Sequence, residues 1–243
     1  MTSASRTTAS GERREEVAHN LEIVRGRIAD ACKTSGRDPD EVTLTVVTKF
    51  FPASDVRLLA ELGVTHVGEN RHQEAEAKVA ECLDLDLRWH FIGGLQSNKA
   101  AAVASYADVV ESVDRAKLVK GLSRGAHQRG RTLDCLVQVD LDPPGAHEGR
   151  AGAPPDGVPG LAEQVAAAEG LRLRGVMAVA PLGEDPAPAF ARLMEVAAEV
   201  RRVDPSATWV SAGMSGDLEE AVSAGATHVR IGSAVLGRRP EIK

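Results

Sequence analysis

The chain has 243 residues, of which 43% are hydrophobic and only 3% aromatic, and its formal net charge at pH 7 is −6. A chain of this length can bury one large core, and an aliphatic core with so few rings favours a parallel sheet wrapped in helices over a β-sandwich. The mild negative charge, without clustered Lys and Arg, argues against a nucleic-acid or anionic-membrane surface. No apolar run is long enough to span a bilayer. Three cysteines at unpaired spacings predict a reducing, cytoplasmic environment.

The polar N-terminus lacks the apolar core of a signal peptide. We expect residues 1–10 to be a disordered lead-in and residues 11–243 to form one folded domain. A helix predicted over residues 15–32 precedes the first strand and covers the bottom or one side of that domain.

Short apolar segments then alternate with segments of helical periodicity. The predicted strands are residues 42–49, 66–70, 89–93, 108–112, 135–140, 175–180, 209–213 and 228–232. The predicted helices between them are residues 53–62, 71–83, 115–128, 161–168, 188–203 and 217–224. Eight strands in alternation with helices predict a single-domain (β/α)8 TIM barrel with an extra N-terminal helix, and a doubly wound open sheet is the less favoured alternative. The Pro- and Gly-rich residues 142–159 are predicted to form a mobile loop.

Lys49 closes the first predicted strand, which is otherwise apolar and β-branched. Desolvation at such a position lowers the pKa of a lysine and makes its amine a nucleophile of the kind that forms Schiff bases with carbonyl compounds. The alternative, from this strand alone, is a lysine that extends from a strand end into water.

Polar and glycine residues gather at the ends of the last two strands, where a barrel commonly places a phosphate. Glycines allow backbone N–H groups to approach an anion, and serines add hydroxyl donors. The candidates are Gly213, Met214 and Ser215 after strand seven, and Gly232 and Ser233 after strand eight. Arg230 lies within strand eight and must pair either with a buried glutamate or with a cofactor's heteroaromatic nitrogen or phosphate. Beside a pyridine nitrogen, an arginine leaves that nitrogen unprotonated and weakens carbanion chemistry.

Motifs from strand one to strand eight resemble those of the pyridoxal-phosphate homeostasis proteins, single-domain relatives of the fold type III alanine racemase barrel. The matching segments are Val47-Thr48-Lys49, Gly68-Glu69-Asn70, Trp89-His90-Phe91-Ile92-Gly93, Leu95-Gln96-Ser97-Asn98-Lys99, Gly213-Met214-Ser215 and Val229-Arg230-Ile231-Gly232. One departure is Ala100-Ala101, where the family often has a basic residue.

The resemblance implies that Lys49 carries pyridoxal 5′-phosphate (PLP) as a Schiff base. It implies phosphate contacts from Ser211, Ser215, Gly232 and Ser233, with Arg230 at the pyridine nitrogen and Asn70 near the ring. It further implies a role in intracellular PLP homeostasis without robust catalysis, with PLP-dependent apo-enzymes as partners. A monomer or weak dimer is expected.

Two enzyme classes remain as alternatives. A weakly active amino-acid racemase would need a second acid or base, and Tyr106, the single tyrosine, precedes strand four and is predicted to be a packing residue. An aldolase-type barrel would use Lys49 with a second group such as Lys99, which is otherwise a solvated lysine or a secondary PLP contact. His90 is predicted to be a satisfied core histidine rather than a metal ligand.

Overall fold

The computed structural model describes residues 3–143 and 151–238, with side chains described from residue 11 onward. Eight parallel strands close into a barrel in chain order. The strands are β1 (Thr43–Val47), β2 (His66–Glu69), β3 (Arg88–Phe91), β4 (Val109–Val113), β5 (Leu133–Gln138), β6 (Leu171–Met177), β7 (Trp209–Ser211) and β8 (His228–Ile231). The predicted (β/α)8 barrel is confirmed, and the open-sheet alternative is wrong because β1 pairs with β8 from Thr43 opposite His228 to Val46 opposite Ile231.

Helices cover the outside of this barrel. They are α1 (Ser3–Thr34), α2 (Ala53–Glu61), α3 (His72–Glu81), α4 (Ala100–Ala104), α5 (Ala116–Arg129), α6 (Val158–Ala167), α7 (Pro186–Val203), α8 (Leu218–Ala224) and α9 (Ser233–Leu236). Strand β4 is buried along its whole length, as expected for a strand covered on both faces. The short helices α4 and α9 escaped sequence analysis because one turn of helix carries too little periodicity to recognise. In the described residues, no helix is long and apolar enough to cross a membrane.

Helix α1 packs along one side of the barrel and not across its bottom. Its buried stripe of Val17, Leu21, Val24 and Ile28 has helical spacing. The helix begins at Ser3, whereas we expected a disordered lead-in over residues 1–10. No proline or glycine occurs between Ser3 and Ser10, so nothing in this segment stops the helix from extending. The division of the chain into a lead-in and a domain stays a prediction.

Residues 151–159, in the second part of the predicted mobile loop, contain regular structure. Residues 144–150 lie outside the described residues, but Ala153 forms a parallel bridge with Val139. Gly152 allows this close approach, since a Cβ there would lie 2.6 Å from the Asp140 nitrogen. Helix α6 then begins at Val158, before the predicted start at residue 161.

Candidate functional site

A cavity of about 390 Å³ opens beyond the C-terminal ends of the strands. Most residues predicted from the strand ends line this cavity together: Lys49, Asn70, Met214, Ser215, Arg230, Gly232 and Ser233. Apolar side chains that sequence analysis did not single out, including Phe51, Ile92 and Val179, complete its wall. The volume and the mixed lining are typical of a small-molecule site. We call this space the Lys49 cavity.

Lys49 lies two residues beyond β1 and is half-buried. Its Nζ is 6.0 Å from the centre of the Phe50 ring. Phe50 has a φ of 72°, a left-handed conformation that residues other than glycine rarely adopt. Such strain persists only where surrounding contacts hold the backbone, and the Phe50 N–H donates to Glu74 Oε1.

A buried polar cluster behind the Lys49 segment supplies those contacts. We call Thr48, Glu69, Glu74 and Lys78 the Lys78 cluster. Lys78 Nζ donates to Glu69 Oε1 at 2.5 Å, to Glu74 Oε1 at 3.1 Å and to the Thr48 carbonyl at 2.9 Å. Burial raises the pKa of Glu69, although Lys78 and the Thr48 hydroxyl oppose that shift. The cluster therefore fixes the backbone on both sides of Lys49.

The role of Lys78 was missed from the sequence. Glu69 occurs in a recognised motif, but nothing in that motif states what it binds. The available signal was the position of Lys78 on the buried face of α3, between Ala75 and Val79. Lysine is almost never fully buried without a partner, so its place in that apolar stripe indicates a paired carboxylate.

Arg230 joins the Lys49 cavity to a second buried network inside the barrel. Its Nη1 donates to Ser211 Oγ at 2.7 Å, its Nη2 donates to the Ala178 carbonyl at 2.7 Å, and Glu111 Oε2 lies 3.9 Å from Nη1. Burial lowers the pKa of Arg230, and the charge of Glu111 opposes that shift. The structure thus combines the two alternatives for Arg230, because the side chain pairs with a glutamate and also faces the cavity.

Glu111 is the centre of this second network. Its Oε2 accepts from Ser211 Oγ at 2.6 Å, and its Oε1 lies 2.6 Å from His90 Nδ1. His90 Nε2 lies 2.9 Å from His66 Nδ1. We call His66, His90, Glu111, Ser211 and Arg230 the Glu111 network. Both ring nitrogens of His90 have partners, which confirms that it is a satisfied core histidine.

The pKa values of Glu111, His66 and the neighbouring His228 are all lowered, but for different physical causes. Burial disfavours the carboxylate of Glu111, but the hydrogen bond and charge of His90 and the charge of Arg230 outweigh it and lower that pKa to about 2. Burial and the nearby His90 lower the pKa of His66 to about 4. Burial and the nearby His90 also lower the pKa of His228 to about 3. The ring centre of His228 lies 4.3 Å from that of Trp209, with the two planes tilted by 38°.

Ser211 and Gly213, two of the predicted site residues, do not line the Lys49 cavity. The Ser211 hydroxyl is fully buried between Glu111 and Arg230, so the phosphate contact expected of Ser211 is not supported. Gly213 serves the turn after β7. Its φ is 93°, and a Cβ there would lie 2.7 Å from the Ala221 Cβ, so only glycine fits.

Helix α1 braces the loop that carries Ser215. Arg27 forms a bidentate pair with Glu219, with both distances 2.7 Å, and its Nη1 donates to the Ser215 carbonyl at 3.0 Å. The sequence pattern gives no role for Arg27, because a charged residue on an amphipathic helix normally faces solvent. The contact positions Ser215 at the cavity wall.

Tyr106 and Lys99 lie outside the Lys49 cavity. The Tyr106 ring stacks on His72, with ring centres 5.8 Å apart and an angle of 9° between the planes, which supports the predicted packing role. Lys99 lines a neighbouring cavity together with Asn70.

The chain is similar to known proteins along most of its length. Residues 14–240 match the model of the alanine racemase N-terminal domain family. The chain is 42% identical over 252 residues to the pyridoxal phosphate homeostasis protein of Mycobacterium tuberculosis, covering 97% of this chain and 98% of the relative. It also matches the structure of PipY from Synechococcus elongatus solved with PLP bound, with a TM-score of 0.79 and 36% identity over 91% of this chain and 100% of PipY.

A more distant structural neighbour is alanine racemase from Corynebacterium glutamicum, with a TM-score of 0.69 and 14% identity. The match covers 95% of this chain and 64% of the racemase, so the likeness concerns the barrel fold alone.

Proposed function

Because the chain belongs to the alanine racemase N-terminal domain family, and within it to the pyridoxal phosphate homeostasis proteins, we propose that it binds PLP in the Lys49 cavity and takes part in PLP homeostasis. The cofactor would be held as a Schiff base on Lys49. One observation carries this assignment: Lys49, Arg230 and the Gly/Ser loops after β7 and β8 face a single cavity.

The chemistry of the lining fits a phosphorylated aldehyde. Lys49 supplies the amine that such an aldehyde requires. Ser215 and Ser233 supply hydroxyl donors for the phosphate on the side of β7 and β8. Gly232 keeps that wall open, because its missing Cβ would lie 3.3 Å from the Val47 carbonyl.

Arg230 would face the heteroaromatic nitrogen and leave it without a proton. Glu111 and Ser211 hold the guanidinium in place and keep its charge balanced in the interior. When bound, PLP supplies an electrophilic carbonyl and an electron-withdrawing ring. An arginine at the ring nitrogen limits that electron withdrawal, which suits storage of the cofactor better than stabilisation of a carbanion.

The cavity lining argues against an efficient racemase or aldolase. Among the described residues that line it, Lys49 and Arg230 are the only titratable side chains. A two-base racemase needs a second proton carrier at the reacting carbon, and Arg230 stays charged beside Glu111. Tyr106 is turned toward His72 and its pKa is raised by burial, so it does not supply that carrier. We therefore propose a role without robust catalysis, with weak racemase activity as the second candidate.

The test of cofactor binding uses absorption and peptide mapping. Protein incubated with PLP should show a visible band that borohydride abolishes, and digestion should recover the label on Lys49. Lys49→Ala should lose the band, while Lys120→Ala, which removes an exposed lysine from α5, should keep it. An unchanged band in Lys49→Ala would contradict the assignment of the lysine.

We propose PLP-dependent apo-enzymes of the cytoplasm as the recipients. Loaded protein is mixed with an apo-enzyme in the presence of alkaline phosphatase, which destroys free PLP. Direct transfer predicts that activity returns despite the phosphatase, whereas release into solution predicts that the phosphatase prevents recovery. Incubation of loaded protein with L-alanine in D2O gives the companion test, and rapid exchange of the α-proton would favour the racemase alternative.

A further inference from the structure

A second cavity, of about 540 Å³, lies beside the Lys49 cavity at the same mouth of the barrel. It is formed where β2 leads into α3 and where β3 leads into α4, and Asn70 lines both cavities. We call it the Arg71 cavity. Its volume is sufficient for a small phosphorylated ligand.

The Arg71 cavity is lined by an excess of cationic groups. Arg71 and Lys99 face it, together with the imidazole of His72. Arg71 is exposed and Lys99 is half-buried, and neither forms an ion pair with any residue in the described part of the chain. Two cations that are not neutralised by a carboxylate attract an anion into the space between them.

The single carboxylate in this lining, Glu74, offsets only part of those charges. Glu74 Oε1 is engaged by Lys78 Nζ at 3.1 Å and by the Phe50 N–H. Because Lys78 also pairs with Glu69, it does not cancel the whole charge of Glu74, but the two cations of the lining still outnumber this carboxylate. Two amide side chains, Gln73 and Gln96, add neutral donors to the same lining.

The two cavities are also linked through the strained residue Phe50. Its ring centre lies 6.0 Å from Lys49 Nζ and 5.0 Å from the guanidinium carbon of Arg71. One ring thus contacts the cation of each cavity. A ligand that draws the Arg71 guanidinium toward a phosphate changes the contact that covers one side of Phe50.

We propose that the Arg71 cavity is a second binding site, which takes a phosphate monoester on a small aromatic ring through Arg71 and Lys99. The identity of this ligand rests on the proposed function, because a phosphorylated pyridine is the class that reaches the neighbouring cavity. In this arrangement one such molecule occupies the Lys49 cavity while a second is bound in the Arg71 cavity, on the other side of Asn70.

The stoichiometry of binding tests the proposal. PLP-loaded protein is reduced with borohydride, so that the Lys49 cavity stays filled, and is then titrated calorimetrically with pyridoxine 5′-phosphate, an alcohol that forms no Schiff base. We expect one further equivalent to bind. Arg71→Gln and Lys99→Gln should each weaken this step about tenfold or more, since each removes a charge-assisted hydrogen bond. The absence of a further equivalent would overturn the proposal.

A matched charge control and a folding control keep that result interpretable. Lys120→Gln removes one exposed positive charge from α5 and should leave the second affinity unchanged. If Lys120→Gln weakens the second binding step as much as Arg71→Gln does, the effect comes from net charge alone, which would contradict the proposed site. Arg71 is exposed, so Arg71→Gln should melt at the same temperature as the parent protein.

Inorganic phosphate separates this proposal from the proposed function. It is titrated into protein that has not been exposed to PLP, and the ring signals of His72 are followed by NMR. We expect those signals to move in the parent protein and to move much less in Arg71→Gln. Movement without any label on Lys49 would leave the second site standing and sink the PLP assignment, whereas label on Lys49 without movement would do the reverse.

Discussion

Polar side chains occur both at the mouth of the barrel, where the Lys49 cavity opens, and in its floor, which is formed by the Glu111 network. The two sets of side chains have different roles. In the floor, His90, Glu111 and Ser211 are at most 1% exposed and bond to one another. At the mouth, Ser215 and Ser233 are accessible and face a cavity. Polarity within a barrel strand therefore does not distinguish a residue that binds a ligand from one that positions another residue. The partners of each side chain make that distinction.

Removal of the floor carboxylate should have the largest effect on stability. Glu111→Leu leaves Arg230 and His90 buried without their acceptor, and breaking a buried charge pair in this way costs about 3–5 kcal/mol. The free energy of unfolding from urea denaturation measures the loss. Glu219→Leu is the control, because its pair with Arg27 is partly exposed and contributes less than about 1 kcal/mol. Equal losses in the two variants would contradict the special role of the floor.

Substitution in the Lys78 cluster should lower stability by a smaller amount. Lys78→Met leaves Glu69 buried without its cation, but burial already raises the pKa of Glu69, so the carboxyl can accept a proton. We expect a loss of about 2 kcal/mol in the free energy of unfolding. We also expect slower labelling of Lys49 by PLP and borohydride, because the Thr48 carbonyl loses its donor.

A control for the cluster removes an exposed lysine from α5. Lys117→Met should change neither the stability nor the rate of labelling. If Lys78→Met lowers stability and leaves the labelling rate intact, the cluster supports the fold and does not position Lys49.

Two histidines, His66 and His228, should make the protein less stable in mild acid. The pKa values of His66 and His228 fall from 6.5 to about 4 and about 3 in the folded chain, so below pH 6.5 the unfolded chain binds protons that the folded chain does not. Stability then falls as the pH falls from 6.5 toward 4.5. Glu111 adds its own loss only below pH 4.5, as the pH approaches its folded pKa of about 2.

Urea denaturation between pH 7 and pH 4.5 checks this slope. His228→Gln should flatten it, while His127→Gln, at an exposed position on α5, should leave it unchanged. A slope that persists in His228→Gln and in His66→Gln would show that other groups cause the acid sensitivity.

A substitution at the mouth of the barrel should change the stability of the protein least. Ser215→Ala should stay within about 0.5 kcal/mol of the parent protein, as surface substitutions usually do. Its affinity for PLP should fall about tenfold, since a hydrogen bond to a charged phosphate is lost. Ser211→Ala is the variant for comparison. It should lose stability, because it removes the hydroxyl that is hydrogen-bonded to both Glu111 and Arg230.

The strands and their order were predictable because each strand is a short apolar run bounded by turns, and the carboxyl ends of parallel strands meet at one face. That logic also brought Lys49, Ser215 and Arg230 to one cavity. It failed for Ser211, because its neighbours in the sequence do not reveal Glu111, which is 100 residues away along the chain. Arg27 was missed for the same reason, since its partner Glu219 comes from α8. Lys78 was missed because its buried partner Glu69 comes from β2, although Glu74 lies one turn away on the same helix.

The pairing of β1 with β8 has a consequence for the order of synthesis. Lys49 follows the first strand and Arg230 lies in the last, and the two strands are hydrogen-bonded neighbours only after the ring closes. A ribosome-bound chain that has not yet extended β8 exposes the edge of β1 and lacks one wall of the cavity. The ability to capture a cofactor therefore arises only once β8 has been synthesised, and a fragment released before β8 would carry the lysine without the arginine.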